Sequence, residues 1–194
     1  MFHVDLPPIY VLRHGETEWN LADRMQGWCD SPLTALGRAQ AEAQGRLLRA
    51  HLPEGCGIRI SPSGRAVETA QIALGARARA AVLDVRLREV NVGDWVGRTP
   101  QEIAAEHVFV RPDEDRHLWK FHAPGGETLE QMTARCRGVL AELTGPSVLV
   151  THGVTSRLLR CLALGRAPEA LGDLPGGQGI VHVIEDGKAR ILRE

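Results

Sequence analysis

Residues 9–15 read I-Y-V-L-R-H-G, a short apolar run that breaks into an arginine, a histidine and a glycine. Four apolar or aromatic residues followed by such a break are typical of a buried strand. Arg13 and His14 would then stand at the carboxyl end of that strand, where open α/β sheets bind their ligands. Gly15 permits a sharp turn or the close approach of a ligand to the backbone. On this segment alone, a solvated polar turn after the strand explains the sequence equally well.

A second apolar run ends in the same way, because residues 147–151 read S-V-L-V-T and are followed by His152 and Gly153. If the two strands are parallel neighbours, both histidines lie at one edge of the sheet. A metal site is one interpretation, but neither histidine has a partner three or four residues away and no other ligand cluster accompanies them. We therefore expect no metal and no cofactor. The other interpretation is a nucleophilic histidine beside cations that hold a phosphoryl group.

Arg65 supplies a further cation for such a site. It lies in the run S-P-S-G-R-A of residues 61–66, at the start of a predicted helix that follows a predicted strand. The first turn of a helix offers backbone N–H donors and a favourable dipole to an anion. Arg13 and Arg65 could equally be partners in surface ion pairs.

Strands and helices alternate along the rest of the chain. The pattern predicts strands at 9–12, 58–61, 82–87 and 147–151, helices at 35–51, 62–74, 127–143 and 154–164, a short helix from Thr99-Pro100, and a closing hairpin of 179–185 and 188–192 across Asp186-Gly187. This order predicts a three-layer α/β sandwich with a mainly parallel, mixed sheet flanked by helices. We expect one domain over residues 1–194, with an irregular insert or lid around residues 107–126.

The composition indicates which classes of binding partner the chain is suited to. The chain has 194 residues, of which 43% are hydrophobic and 24% charged, and its net charge is −1, so nothing indicates nucleic acid or a membrane as a partner. No apolar run is long enough for a membrane span, and the N-terminus lacks the features of a signal peptide. The four cysteines are widely spaced, which predicts buried free thiols and a cytoplasmic location. The oligomeric state is not readable, and a homodimer is left open.

Taken together, these segments resemble the histidine phosphatase superfamily, also called the phosphoglycerate mutase-like family. The resemblance rests on R-H-G-E-T at 13–17, S-x-x-x-R-A-x-x-T-A at 61–70, E-x-x-x-G-x-W-x-G at 89–97, P-G-G-E at 124–127 and T-H-G at 151–153. The chain departs from the family pattern at Ser63, where leucine is common, and at Val92 and Val96, which replace an aromatic residue and an acid. These departures put substrate preference in doubt, not activity.

The resemblance implies a phosphomonoesterase that acts on small phosphorylated metabolites through a phosphohistidine on His14. It implies that Arg13, Arg65 and a protonated His152 stabilise the phosphoryl oxygens, and that Glu89 first protonates the leaving oxygen and then takes a proton from water. That role requires surroundings that raise the pKa of Glu89. The alternative without a catalytic role is that Glu89 only forms salt bridges with arginines. The remaining phosphate-binding residues implied are Asn20, Gly27 and Gly153.

Three functions remain open. A phosphoglycerate mutase would share the same chemistry, but mutases that resemble this family usually carry a longer basic insert. A phosphatase for ribazole phosphate or for a sugar phosphate fits equally well. An inactive module that binds phosphorylated ligands is the third, although the central residues are all present. The cations of the insert could bind a second anionic group or form a solvated surface; they are Arg111, Arg116, His117, Lys120 and His122.

Overall fold

We describe the protein from a computed structural model, in which residues 6–107 and 117–194 are described. One six-stranded sheet forms its centre, with the strand order β3-β2-β4-β1-β5-β6. The strands are β1 (Ile9–Arg13), β2 (Gly57–Ile60), β3 (Val82–Leu83), β4 (Ser147–Thr151), β5 (Val181–Glu185) and β6 (Lys188–Leu192). The first four in this order are parallel, and β5 and β6 are antiparallel to their neighbours. The mainly parallel, mixed sheet predicted from the sequence is confirmed.

Helices cover both faces of this sheet. They are α1 (Glu18–Leu21), α2 (Ala35–His51), α3 (Gly64–Leu74), α4 (Pro100–Glu106), α5 (Leu129–Ala141) and α6 (Gly153–Ala163). Alternate residues of β1 point to opposite layers. Ile9 and Val11 join a core with α5 and α6, whereas Tyr10 and Leu12 join a second core with α2 and α3. The three-layer α/β sandwich is therefore confirmed as well.

A close backbone contact fixes α2 beneath the end of β1. A Cβ atom on Gly15 would lie 2.1 Å from the carbonyl oxygen of Gly37, and one on Gly37 would lie 2.0 Å from that of Glu16. Neither residue can carry a side chain unless the backbone moves. The glycine of the R-H-G motif thus lets the first helix of the α2–α3 layer approach the loop that follows β1.

The predicted strand over 82–87 is wrong for most of its length. Only Val82 and Leu83 pair with β2, and residues 85–87 form a 3₁₀ helix that Asp84 caps by accepting from the N–H of Arg86. The alternating pattern does not mark a buried face here, because Val82, Leu83 and Val85 are all exposed. Of this run, the apolar residue that enters the core is Leu87.

The predicted insert lies partly outside the described residues, which omit 108–116 together with Arg111 and Arg116. Within the described part, residues 118–122 form a 3₁₀ helix whose Trp119 is buried in the core. The prediction of four buried thiols is wrong for Cys29, which is exposed; Cys56, Cys136 and Cys161 are buried, and all four are free. Over the described ranges, no helix is both long and apolar enough to cross a membrane.

Candidate active site

The two histidines meet because their strands are parallel neighbours. Arg13 at the end of β1 is in register with Thr151 at the end of β4, so His14 and His152 leave the sheet side by side. Their rings pack edge to face with centroids 5.1 Å apart. His14 is 3% exposed and His152 is fully buried. The convergence predicted from two strands that end in His-Gly is what the structure contains.

Hydrogen bonds fix the tautomer of His14. Its Nδ1 lies 2.7 Å from the carbonyl oxygen of Gly15, which can only accept, so Nδ1 carries the proton. Nε2 therefore presents a lone pair, and Nε of Arg65 donates to it at 3.3 Å. The main chain of His14 is held as well, since its N–H donates to Thr151 and its carbonyl accepts from Gln178. A fixed neutral imidazole with an unprotonated Nε2 is the form that can act as a nucleophile.

Both imidazoles are neutral in this site. Burial lowers the pKa of His14 well below its ordinary value, and the neighbouring His152, Arg13 and Arg65 lower it further. A neutral imidazole is what a nucleophilic His14 requires. Burial and the positive charges of Arg65 and Arg13 likewise lower the pKa of His152 well below its ordinary value. The sequence-based expectation of a protonated His152 concerns a site that holds a phosphoryl group, and it stays a prediction.

The surroundings of His152 give it a donor without a positive charge. Its Nε2 lies 2.7 Å from the hydroxyl of Ser61, and when that hydroxyl donates, the ring proton sits on Nδ1. Within the described part of the chain, Nδ1 of His152 and Nε of Arg13 are buried polar atoms without a hydrogen-bond partner. Buried donors of this kind are expected to find an acceptor when a ligand binds.

Arg65 is held in place by the segment that follows Gly27. Its guanidinium donates to the carbonyls of Gly27 at 2.9 Å and Cys29 at 2.6 Å, and to the carboxylate of Asp30 at 3.0 Å. The same carboxylate accepts the backbone N–H of Arg65 at the start of α3, where the N-cap Ser63 makes no side-chain cap. Asp30, which the sequence analysis did not single out, thus both caps the helix and orients the cation.

Glu89 lies on the other side of the cavity, at the N-terminus of α6. Its carboxylate accepts the backbone N–H groups of Val154 at 3.1 Å and Thr155 at 3.1 Å, and also that of Val90 at 3.0 Å. The hydroxyl of Thr155 lies 3.1 Å from the same carboxylate. The positive end of the helix dipole and this set of donors favour the ionised carboxylate.

The structure contradicts the expectation that the free site raises the pKa of Glu89. Burial alone would raise it, but the ammonium of Lys120 and the backbone donors outweigh burial and hold the pKa at about 2. Burial lowers the pKa of the surrounding cations Arg13, Arg65, Lys120 and Arg157, and the charge of Glu89 partly offsets this effect in each of them. This carboxylate is therefore the counter-ion that these cations share.

The cavity between these groups has a volume of about 190 Å³. The predicted residues that line it are Arg13, His14, Asn20, Gly27, Arg65, Glu89 and Gly153, while His152 lies buried behind His14. Asn20 is part of a capping box with Thr17, and its side-chain oxygen also faces Gln178 at 3.4 Å. The carbonyl of Gly27 is already used by Arg65, so this group orients a cation rather than a phosphate.

Further basic residues line the cavity. Lys120 and His117 come from the insert, where the sequence left a second anion site open, and burial lowers the pKa of Lys120 to about 8 and that of His117 to about 3. Arg157 was missed, although its position four residues after Gly153 places it on the same helix face, where it donates to the Gly153 carbonyl at 3.0 Å. Gln178 was missed too, because the glycine-rich loop that carries it has no pattern tied to β1.

The metal interpretation finds no support among the described residues, which contain no group of three or more His, Cys, Asp or Glu side chains that could hold an ion. Of two tryptophans near the site, Trp95 is fully buried in the core and Trp28 is half exposed, with its indole N–H donating to the carbonyl of Glu89 at 2.9 Å.

Known proteins resemble the chain over almost its whole length. The model of the histidine phosphatase superfamily (branch 1) matches residues 9–192. A glucosyl-3-phosphoglycerate phosphatase from Mycobacterium tuberculosis is 37% identical over 186 residues, covering 88% of this chain and 81% of the relative. A probable phosphoglycerate mutase from an Enterobacter species is 35% identical over 167 residues, covering 81% of this chain and 74% of the relative.

Solved structures agree with this family. A mycobacterial glucosyl-3-phosphoglycerate phosphatase in complex with VO3 superposes with a TM-score of 0.80 at 32% identity, over 97% of each chain. The α-ribazole phosphatase from Shigella flexneri superposes with a TM-score of 0.79 at 26% identity, over 96% of each chain. The family predicted from the sequence motifs is confirmed: the chain is a phosphatase that belongs to branch 1 of the histidine phosphatase superfamily.

Proposed function

We propose that the protein hydrolyses small phosphate monoesters through a covalent phosphohistidine on His14. The observation that carries this proposal is the state of His14, whose Nδ1 is tied to the Gly15 carbonyl while Nε2 keeps its lone pair beside Nε of Arg65. A phosphoryl group placed there would meet the guanidinium groups of Arg13 and Arg65. Fixed positive groups around the transferred phosphoryl are the main requirement for lowering the barrier of phosphoryl transfer.

The reaction then has two steps. In the first, Nε2 of His14 forms a bond to phosphorus while the bond from phosphorus to the ester oxygen breaks, and the protonated carboxyl of Glu89 gives its proton to that oxygen. In the second, the Glu89 carboxylate takes a proton from water, whose oxygen attacks phosphorus and breaks the P–N bond. Inorganic phosphate takes the proton from Glu89 as it leaves, so His14 returns to the neutral state and Glu89 to the ionised state of the free site.

Glu89 needs a proton that the free site does not hold, because its pKa there is about 2. A phosphate monoester with a second pKa of about 6 arrives partly as the monoanion. The cations that depress the pKa of Glu89 would also depress that of the bound phosphoryl group, and the negative phosphoryl would raise the pKa of Glu89. We infer that the substrate monoanion supplies the proton.

The further basic residues of the cavity indicate the substrate class. Lys120 and Arg157 line the cavity in addition to the arginines that face the phosphoryl group. A monophosphate alone does not need both, whereas a substrate with a carboxylate near its phosphate would use them. We therefore propose a phosphorylated metabolite with a second anionic group, of the kind named for the relatives that are glucosyl-3-phosphoglycerate phosphatases. A cytoplasmic enzyme is consistent with four free thiols.

The mutase remains the second candidate, since relatives 35% identical are named as probable phosphoglycerate mutases. Both reactions would begin with the same phosphohistidine. They differ in the acceptor, which is water in a phosphatase and a substrate hydroxyl in a mutase. The names of the phosphatase relatives favour water.

The test is the release of phosphate in the presence of EDTA by the wild-type protein and by His14→Ala. The substrates are p-nitrophenyl phosphate, glucosyl-3-phosphoglycerate, α-ribazole phosphate and 3-phosphoglycerate, with isomerisation of 3-phosphoglycerate followed in parallel. We expect phosphate release that survives chelation and vanishes in His14→Ala. It should be faster with the two carboxylate-bearing esters, glucosyl-3-phosphoglycerate and 3-phosphoglycerate, than with the other two substrates. Lys120→Met should lose this preference while keeping hydrolysis of p-nitrophenyl phosphate.

Other results would overturn parts of the proposal. Phosphate release by His14→Ala at the wild-type rate would remove His14 as the nucleophile. Isomerisation that outpaces phosphate release would make the protein a mutase. Binding of phosphorylated ligands without any turnover would make it a binding module.

A further inference from the structure

Arg135 donates hydrogen bonds to the main chain around Glu89. It lies on α5, and its guanidinium donates to the carbonyls of Arg86 at 2.6 Å, Arg88 at 2.9 Å and Glu89 at 3.3 Å. The same side chain forms a two-point ion pair with Glu127, at 2.6 Å and 2.8 Å. The planar guanidinium of Arg135 thus connects three carbonyls of the irregular segment 86–91 to α5.

Glu127 bonds to the same segment at Asn91; we call Arg135 and Glu127 together the clamp. Its backbone N–H donates to the carbonyl of Asn91 at 2.9 Å, and its carboxylate lies 3.4 Å from the N–H of Asn91. The ion pair of Glu127 and Arg135 is well shielded, with the two side chains 11% and 15% exposed. Residues 86–91 have no strand partner, so these contacts take the place of a sheet ladder.

We infer that Arg135 is a positioning residue for Glu89, a role that rests on the proposed proton transfer by Glu89. The Glu89 carboxylate reaches Val154 and Thr155 at the start of α6 from a main chain that Arg135 holds together with the indole of Trp28 and the hydroxyl of Thr155. Displacement of a proton donor by as little as 1 Å lowers a rate about a hundredfold. Arg135 itself does not line the cavity.

The chemistry of the clamp requires arginine. A lysine ammonium is a compact charge and cannot bind a carboxylate at two points while reaching several carbonyls. A buried ion pair is also weak evidence for stability, because desolvation offsets much of its attraction. Arg135 is therefore better explained by the geometry that it imposes on residues 86–91 than by its contribution to folding.

The dependence of the rate on the leaving group separates positioning from a general structural role. An alkyl phosphate such as glycerol phosphate needs a proton on its leaving oxygen, whereas 2,4-dinitrophenyl phosphate does not. We would measure kcat/KM for both esters with the wild type, Glu89→Gln, Arg135→Met and Arg135→Lys. The matched control is Arg59→Met, which removes an arginine whose hydrogen bonds and ion pairs go to Asp84 at 3.0 Å and Glu142 at 3.1 Å.

The expected loss for the alkyl ester is about 10²-fold or more in Glu89→Gln and about tenfold or more in Arg135→Met, with the dinitrophenyl ester changed by less than about threefold in both. Arg135→Lys should behave like Arg135→Met, and Arg59→Met should retain the wild-type ratio of the two esters. If Arg135→Met does not fold, Arg135→Met/Glu127→Gln removes both charges of the pair and takes its place.

The outcomes distinguish the two proposals. If Glu89→Gln changes both esters equally, Glu89 is not the proton donor and the proposed function fails at that point. If Glu89→Gln is selective for the alkyl ester and Arg135→Met is not, Glu89 keeps its role and the inference about Arg135 is overturned. A ratio shifted as far by Arg59→Met as by Arg135→Met would also overturn it.

Discussion

Replacing Glu89 with glutamine should destabilise the protein near neutral pH and remove part of its sensitivity to acid. The pKa of Glu89 is about 2 in the folded protein, against an ordinary value of 4.5. A difference of about 2.5 pKa values at about 1.4 kcal/mol each stabilises the folded carboxylate by about 3 kcal/mol. Because the side chain is half-buried and faces the cavity, solvent screening makes this an upper figure.

The sign follows from linkage. A depressed folded pKa contributes stability that is present above the unfolded value of 4.5 and is lost as the pH falls towards 2. Of the total, about 2 kcal/mol should have disappeared by pH 3. The glutamine variant cannot lose it, so the two proteins should differ by about 2–3 kcal/mol at pH 7 and by about 1 kcal/mol at pH 3.

Urea unfolding followed by tryptophan fluorescence at several pH values between 7 and 3 measures this gap. Other carboxylates with depressed pKa values, such as Asp84 and Glu142, titrate in both proteins and cancel in the difference. A gap that stays constant across this range, or a variant that is the more stable protein at pH 7, would refute the assignment of Glu89 as the shared counter-ion of the cavity.

Three further predictions follow from the same geometry. Values of kcat/KM should fall as the pH rises above about 6, because the ester then loses the proton that Glu89 needs. Protonation of His14 should not lower kcat/KM until the pH is well below 6.5, since the pKa of His14 is depressed. A profile that is flat from pH 5 to 9 would contradict this. Gly176→Ala should raise the KM of a carboxylate-bearing ester but not that of p-nitrophenyl phosphate, because its Cβ would lie 2.1 Å from Nη2 of Arg157; equal KM changes would count against it. Gly37→Ala should lower the unfolding free energy by about 2 kcal/mol, although alanine has the better helix propensity. The reason is that the new Cβ would lie 2.0 Å from the carbonyl oxygen of Glu16. An unchanged urea midpoint would disprove this contact.

The strand ends of the site could be predicted because the signal there is local. Arg13 and His14 follow the apolar run 9–12 and His152 follows the largely apolar strand 147–151, and parallel strands bring such ends to one edge. Arg65 could be placed by the helix start that follows β2. In each case the residue and the element that carries it are adjacent in the chain, so no long-range information is needed.

The electrostatic state of the site could not be predicted in the same way. The pKa of Glu89 depends on backbone donors of α6 and on Lys120, which are brought to it by the fold from far along the chain. The neutral state of His152 likewise depends on its complete burial, and strand patterns do not report how deeply a side chain is buried.

Element boundaries failed where a short pattern admitted two structures. The alternation at residues 82–87 matches a strand, yet the Asp84 side chain offers the N–H of Arg86 an alternative partner and turns the chain into a 3₁₀ helix. By contrast, the hairpin turn was predictable, because Asp186 and Gly187 both adopt positive φ and this dipeptide favours that conformation.

The central claim is that a phosphoryl group passes through His14. Glu89→Gln mixed with 2,4-dinitrophenyl phosphate should trap it, since the first step then needs no acid while the second step lacks its base. After an alkaline quench and digestion, mass spectrometry should find one phosphoryl group on the peptide that contains His14, and none in the same variant with His14→Ala added. A phosphoryl group on His117 or His152, or turnover of the ester by wild-type protein with no phosphorylated peptide in the trapping variant, would contradict the account.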